Sequence, residues 1–345
     1  MSRHLAFDPT MRIAACLIAI LASACGGGGD EAPAPPPPEL LQITSGNQVA
    51  VARAAVANFV SMTGIDAVPL SATAGTAQAR GLAKLTMHAL GALPGDTRAR
   101  PLAVSSMTLP CEFGGSMTIT SDDRDNNGNA STGDVLAVAF AQCRPTQSAL
   151  ADGSLVIDIT GISETPTSSQ LTGLFTFKQL TSVENGYRSV VNGAANCIYS
   201  DSIDAAGTSI ERLEMTVAAG GLVGTGATPS FSDSFTHDPG FTLVSTEFTP
   251  AGSGSKPYST KALNGKVLVG SLAARIIINT DSATPVHQWD DQTYPDAGKV
   301  QVTGHLSKLR LTVLNTSTVR LELDANDDGT TDSSRETSWP ELMPR

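Results

Sequence analysis

From Met107 onward the chain alternates apolar and polar residues with period two, in short segments bounded by Gly, Asn, Asp or Pro. Successive side chains of a strand point to opposite faces, so a sheet with one buried face is what such alternation builds. The clearest strands fall at residues 116–120, 135–141, 154–160, 171–178, 189–198, 212–217, 266–278, 300–304, 309–314 and 318–323. Most of the turns between them are too short for the dozen-residue crossover that parallel neighbours require. The spacing therefore predicts a mainly antiparallel, meander-like sheet. Abundant Thr, Ser, Gly and Val, with aromatics at 5%, suit a β-rich exported protein.

Helical periodicity is confined to residues 44–93. Val49, Val51, Ala55, Val56, Phe59 and Val60 group on one broad face after a candidate cap at Ser45, and a second amphipathic stretch covers residues 77–90. Residues 220–258, rich in Gly, Ser, Thr and Pro, read as long loops that divide the sheet into two parts. The predicted class is α+β, mainly antiparallel β, with a short helical segment (44–100) before a large meander or sandwich-like sheet. Its parts are a first β region (101–219), a loop-rich connection (220–258) and a carboxy-terminal β region (259–345).

The amino terminus has the zones of a secretory signal in residues 1–24: Arg3 and Arg12, an apolar run from Ile13 to Leu21, then small residues before Cys25. The run has about half of the residues needed to span a bilayer as a helix. Leu21-Ala22-Ser23-Ala24-Cys25 resembles the lipobox of bacterial lipoproteins, with Ala22 where Leu is usual. The resemblance implies cleavage before Cys25 and acylation of its thiol. Met11, next to Arg12, is a candidate start. Residues 25–43, with Gly26 to Gly29 and Pro35 to Pro38, form a tether able to hold a domain on the order of 40 Å from a lipid surface. Gly26 after the cysteine, where Asp would signal inner-membrane retention, implies the outer membrane. Loss of the leader removes two arginines and one aspartate, so the net charge moves from −11 to −12. An acidic chain of this kind excludes phosphate-backbone recognition and hence a nucleic-acid partner.

Two loops point to a cation. Asp123, Asp125, Asn127, Ser131 and Asp134 occupy positions 1, 3, 5, 9 and 12 of a twelve-residue loop, with Gly128 at position 6 and Asn129 at position 7. This is the spacing of an EF-hand calcium loop: alternate side chains turn inward, glycine permits the bend, the position-7 carbonyl adds a ligand, and the last carboxylate closes the shell. Strand patterns flank it, so it reads as an EF-like loop in a hairpin. Asp324, Asn326, Asp328, Thr330 and Asp332 repeat the start of the pattern, but Arg335 stands at position 12, leaving Asp332 or Glu336 to close the site. The competing reading of each is a polar turn. Calcium here would be structural and weak, roughly 10⁻⁴ to 10⁻³ M, as in extracellular modules.

Cys111 and Cys143 bracket the first loop, and a bulge or wider turn would bring them into disulfide register. Cys16 leaves with the leader and Cys25 carries lipid. Cys197 is left as a buried thiol or as a rival for one of these partners.

No catalytic constellation stands out. The five histidines are scattered, without HExxH, HxH or a zinc-spaced cysteine pair. His287, near Trp289, Asp290 and Asp291, is a candidate ligand cluster or a loop anchored by its aromatic ring.

The stretch from Tyr294 through Gly304, the strand pair 309–323, the acidic loop and Thr337-Ser338-Trp339 resemble a recurring ending of uncharacterised proteobacterial lipoproteins. Those proteins also carry a cysteine followed by paired glycines, an Asp/Asn/Gly loop ending in Gly-Asp and a Phe-x-x-Cys. Cys111 to Gly115, Asp123 to Asp134 and Phe140 to Cys143 match these features here. The resemblance implies a lipid-anchored envelope protein and no particular activity, its protein or glycan partner open. A calcium-stabilised binding or structural module is the leading reading. An envelope metal-dependent hydrolase using His287, Asp290 and Asp291, or an adhesin-like surface protein, are the alternatives. Substitution Cys25→Ser is expected to move the protein out of the membrane fraction, and unchanged fractionation would overturn the anchor.

Overall fold

The computed structural model describes residues 39–66, 104–127, 130–184, 186–252 and 254–343. The leader, Cys25, most of the tether and the second helical stretch at 77–90 lie outside them. The sheet begins with β1 (Val104–Pro110), β2 (Ser116–Asp122), β3 (Val135–Cys143), β4 (Ala149–Thr165), β5 (Ser168–Glu184), β6 (Tyr187–Ile203) and β7 (Ser209–Thr228). It continues through β8 (Phe231–His237), β9 (Thr242–Thr249), β10 (Tyr258–Val269), β11 (Ala274–Thr280) and β12 (Val286–Trp289). It ends with β13 (Lys299–Gly304), β14 (Ser307–Val313), β15 (Thr318–Asp324) and β16 (Ser333–Ser338). All sixteen belong to one sheet, and every ladder between them is antiparallel. The expected class is therefore the observed one.

The sheet is not divided at residues 220–258, as their composition suggested. β8 and β9 run in the same direction between β7 and β10, β8 against Leu222–Thr228 and β9 against Ser209–Thr216. They form one long strand interrupted by a turn at Asp238, Pro239 and Gly240. Its inward positions alternate Asp233, Phe235 and His237, then Leu243 and Ser245, all buried. Three of those five are polar, which hides a period-two signal that depends on apolar residues. Residues 266–278 are likewise a hairpin of β10 and β11 rather than a single strand. Its turn places Ala273 at φ 49°, a conformation that alanine does not announce.

The helix α1 (Gln48–Asp66) is not the one-faced helix its spacing suggested. Val51, Ala52, Ala54, Ala55, Val56, Ala57, Asn58, Ser61 and Met62 are all buried, around almost its full circumference. It packs against β6 and β7 and also against β13, β14 and β15, which lie on the far side of β8, β10 and β11 in the sheet. The sheet therefore curls round the helix. Alanines keep the helix thin enough to be enclosed, and a helix apolar on all sides needs such enclosure. A short carboxy-terminal helix α2 (Trp339–Leu342) covers part of the same core, with Trp339 and Leu342 buried.

Polar side chains pin α1 in register. The buried Asn58 amide lies 2.9 Å from His237 Nε2, and His237 Nδ1 lies 3.2 Å from the Leu222 carbonyl oxygen. The carbonyl can only accept, so the proton sits on Nδ1, and Nε2 accepts from Asn58. Ser61 and Tyr187 share a 2.6 Å hydroxyl contact. Gly226 makes room for that pair: a Cβ there would collide with the Tyr187 hydroxyl and come within 2.6 Å of Ser61 Oγ.

Cys111 and Cys143 form a disulfide with Cα atoms 5.4 Å apart, and Cys197 is a buried free thiol. The register of β2 and β3 sets Asp122 opposite Val135. Cys111 stands not on β2 but in the turn between β1 and β2, where Gly114 and Gly115 take positive φ. That turn bends over the end of β3, with Phe113 donating to the Arg144 carbonyl at 2.8 Å, and so absorbs the mismatch. Closing this loop contributes about 3 to 4 kcal/mol by constraining the unfolded chain.

Burial lowers the His237 pKa from 6.5 to about 4, partly offset by the Leu222 carbonyl and the Asp238 charge. The unfolded chain takes up a proton as pH falls through 6.5, whereas the folded chain refuses it until about 4. Stability is thus full above 6.5 and declines through this window, by about 3 kcal/mol at its foot. The variant His237→Gln should flatten that slope in denaturant titrations between pH 7.5 and 4.5. Equal slopes in both proteins would remove the buried imidazole as the cause.

Candidate metal centre

The first acidic loop is the tip of the β2–β3 hairpin, beginning directly after the last pair, Asp122 with Val135. Its backbone follows the side chains. Asp123 Oδ1 accepts from the Asn127 amide at 3.2 Å and Asp125 Oδ1 accepts from the same amide at 3.1 Å. The Asn127 side-chain amide donates to Asp125 Oδ2 at 2.7 Å. Asp134, buried at the base, accepts from the Arg124 amide at 2.9 Å and from the Ser131 amide at 2.7 Å. Gly128 and Asn129 lie outside the described residues.

These bonds bring Asp123, Asp125 and Asp134 together, with one carboxylate oxygen from each within 4.8 Å of the others. Oxygens that share one calcium at 2.3–2.6 Å can stand no farther apart than about 5 Å, twice the bond length. The three carboxylates meet that limit. Among the described residues no other group of three His, Cys, Asp or Glu ligands does so. Each pair of such charges repels by roughly 1 kcal/mol even at the dielectric of water. Ser131 Oγ reaches Asp125 Oδ2 at 2.9 Å and Asp134 Oδ2 at 3.0 Å, but it has one proton for the two. The Ser131 hydroxyl, followed by the Asn127 amides and against some desolvation, holds the Asp125 carboxyl below the usual range. The loop crowds three carboxylates at one point, a donor set suited to a hard divalent cation.

The second loop, between β15 and β16, repeats this wiring. Asp324 Oδ1 and Asn326 Oδ1 each accept from the Asp328 amide at 3.2 Å, as Asp123 and Asp125 do with Asn127. The Ala325 amide donates to Asp332 Oδ2 at 2.7 Å, the place that Asp134 fills for Arg124. Of the two residues the spacing left to close the loop, Asp332 takes that position, while Glu336 pairs with Arg320. Arg335 instead pairs with Glu341. Thr330 turns inward on Asp328, its hydroxyl within 2.5 Å, and this contact lowers the Asp328 pKa. Asn326 supplies an amide where the first loop has Asp125; the carboxylates of the second loop, Asp324, Asp328 and Asp332, do not converge as the first three do.

The alternative cluster around His287 is not assembled as its spacing suggested. His287 Nδ1 meets Asp296 Oδ1 at 2.5 Å, Trp289 Nε1 donates to Asp296 Oδ2 at 3.0 Å, and Asp291 pairs with Lys256 at 2.5 Å. Phe248, Tyr258 and Trp289 stand in one cross-strand row with His287 beside it, ring centroids 4.6 to 5.4 Å apart. Asp296 was invisible to motif reading because it lies on an irregular segment, nine residues from the histidine it orients. Also unforeseen is a row of facing acids, Asp201 opposite Glu211 and Glu211 opposite Glu247. With burial as the larger cause, these three push the Tyr199 hydroxyl well above its ordinary pKa. Comparison with family models, with curated proteins and with solved structures yields no match.

The hydrogen bonds separate two roles within the first loop. Asp134→Ala leaves two amides without partners and should cost about 2 kcal/mol even in chelator. Asp125→Ala, at an exposed position, should cost about 0.5 kcal/mol or less there. Denaturant titration in chelator checks this, and equal costs would overturn the division.

Proposed function

We propose that this chain is a lipid-anchored module of the bacterial cell envelope, held to the outer membrane through Cys25 and stabilised by calcium. The convergence of Asp123, Asp125 and Asp134 at a hairpin tip, with the Cys111–Cys143 disulfide at the other end of the same hairpin, is the observation that carries this reading. A disulfide suits an oxidising compartment. A weak calcium loop suits surroundings where the free ion is plentiful. Asn127, Asn129 and Ser131 complete the first ligand set; Asp324, Asn326, Asp328, Thr330 and Asp332 form a second, weaker one.

Calcium in this setting is structural. It offsets the mutual repulsion of the first-loop acids and fixes the hairpin tip, leaving the faces of the curled sheet to bind or brace an envelope partner. Saturating calcium should raise the melting temperature by on the order of 5 °C in a chelator-reversible way. The double variant Asp123→Ala, Asp125→Ala should lose most of that rise. An intact protein that melts identically in calcium and in chelator would sink the metal assignment.

A further inference from the structure

A cavity of about 680 Å³, counting its open mouth, lies between α1, β10, β12 to β15 and α2. Its floor is buried and apolar, made by Ala55, Leu311, Val319 and Trp339, while Phe59 and Val313 at its rim are half-buried. The curl of the sheet explains why it is there: thin α1 fills the space against β6 and β7 but leaves a gap toward β13 to β15.

One charged side chain enters this lining. Lys261 sits on β10 opposite Val286 of β12, and Gln288 is the other polar contributor. Lys256 and Lys308 are paired with Asp291 and Asp327. Lys261 has no ion pair or hydrogen bond from its ammonium among the described residues. Glu247 on the adjacent strand stands opposite Ser259, two residues along, and is not part of the lining. A cation without a partner beside an apolar recess matches a molecule with an apolar body and one anionic end.

We propose that this cavity binds a single-chain fatty carboxylate, its tail between α1 and β13 to β15 and its head at Lys261. The assignment depends neither on the anchor nor on the metal loops. The test uses the full chain carrying Cys25→Ser, so that no lipid on the protein itself competes. Trp289→Phe leaves Trp339, in the cavity wall, as the one remaining tryptophan of two. Dodecanoate brominated along its tail should quench Trp339 fluorescence saturably, plain dodecanoate should reverse this, and butanoate should not. Calorimetric titration of Lys261→Met should show about tenfold weaker dodecanoate binding with 1-dodecanol unaffected. Val313→Phe, with its fold checked by melting, should weaken both. Absence of saturable quenching, as when residues 67–103 of the chain itself fill the recess, would overturn the proposal. So would undiminished dodecanoate affinity in Lys261→Met, which would leave only an apolar recess.

Discussion

Among the described residues, the structure is arranged around the enclosure of one alanine-rich helix by one sheet. A sheet of sixteen strands has an inner face too broad to bury on itself unless it curls, and α1 supplies the core it curls around. The strands can approach closely because Ala52, Ala54, Ala55 and Ala57 add little bulk. Enclosure carries a cost, since Asn58 and Ser61 go into the interior with the helix. Each is met by a side chain from the sheet, His237 and Tyr187, and Gly226 gives up its side chain for the second contact. The pairing fixes the rotation of α1, which packing among small alanines would leave loosely defined.

This arrangement was only partly legible in the sequence. Strands from 116 to 217 were readable because most of their inward positions are apolar, and the hairpins from 300 to 323 for the same reason. β8 and β9 were not, because Asp233, His237 and Ser245 occupy inward positions and belong to interior hydrogen-bonding rather than to an apolar stripe. The spacing of α1 suggested a helix but not its all-round burial, which is a property of the sheet's curl. The Cys111–Cys143 pair was the expected one, with Cys197 left as a rival that spacing could not dismiss, and the compensating turn at Gly114 and Gly115 could be placed only in three dimensions.

The two acidic loops show what local spacing can and cannot encode. Positions 1, 3 and 5 produce the same amide pattern in both, because a short side-chain oxygen bonding an amide two or four residues on is a local event. Closure is where they part. Asp134 closes one loop from position 12 and Asp332 the other from position 9, each capturing the amide of the second residue. In the second loop, with its shorter circuit and Asn326 at position 3, the three carboxylates do not converge as those of the first do. The row of Asp201, Glu211 and Glu247 had no such local signature, since its members are far apart in the chain and meet only through strand register.

Among the described residues the curled sheet does not close, and β1 and β16 stand at the two ends of its path. Unpaired backbone along a border is a template for another chain, and a protein crowded beside copies of itself must refuse that invitation. β16 sets exposed Arg335 and Glu336 along its short length, the latter tied back to Arg320. β1 is seven residues long and ends in Pro110, which has no amide hydrogen to offer. Both borders are thus poor partners for strand addition, so a sheet this wide can exist singly without seeding stacks of itself.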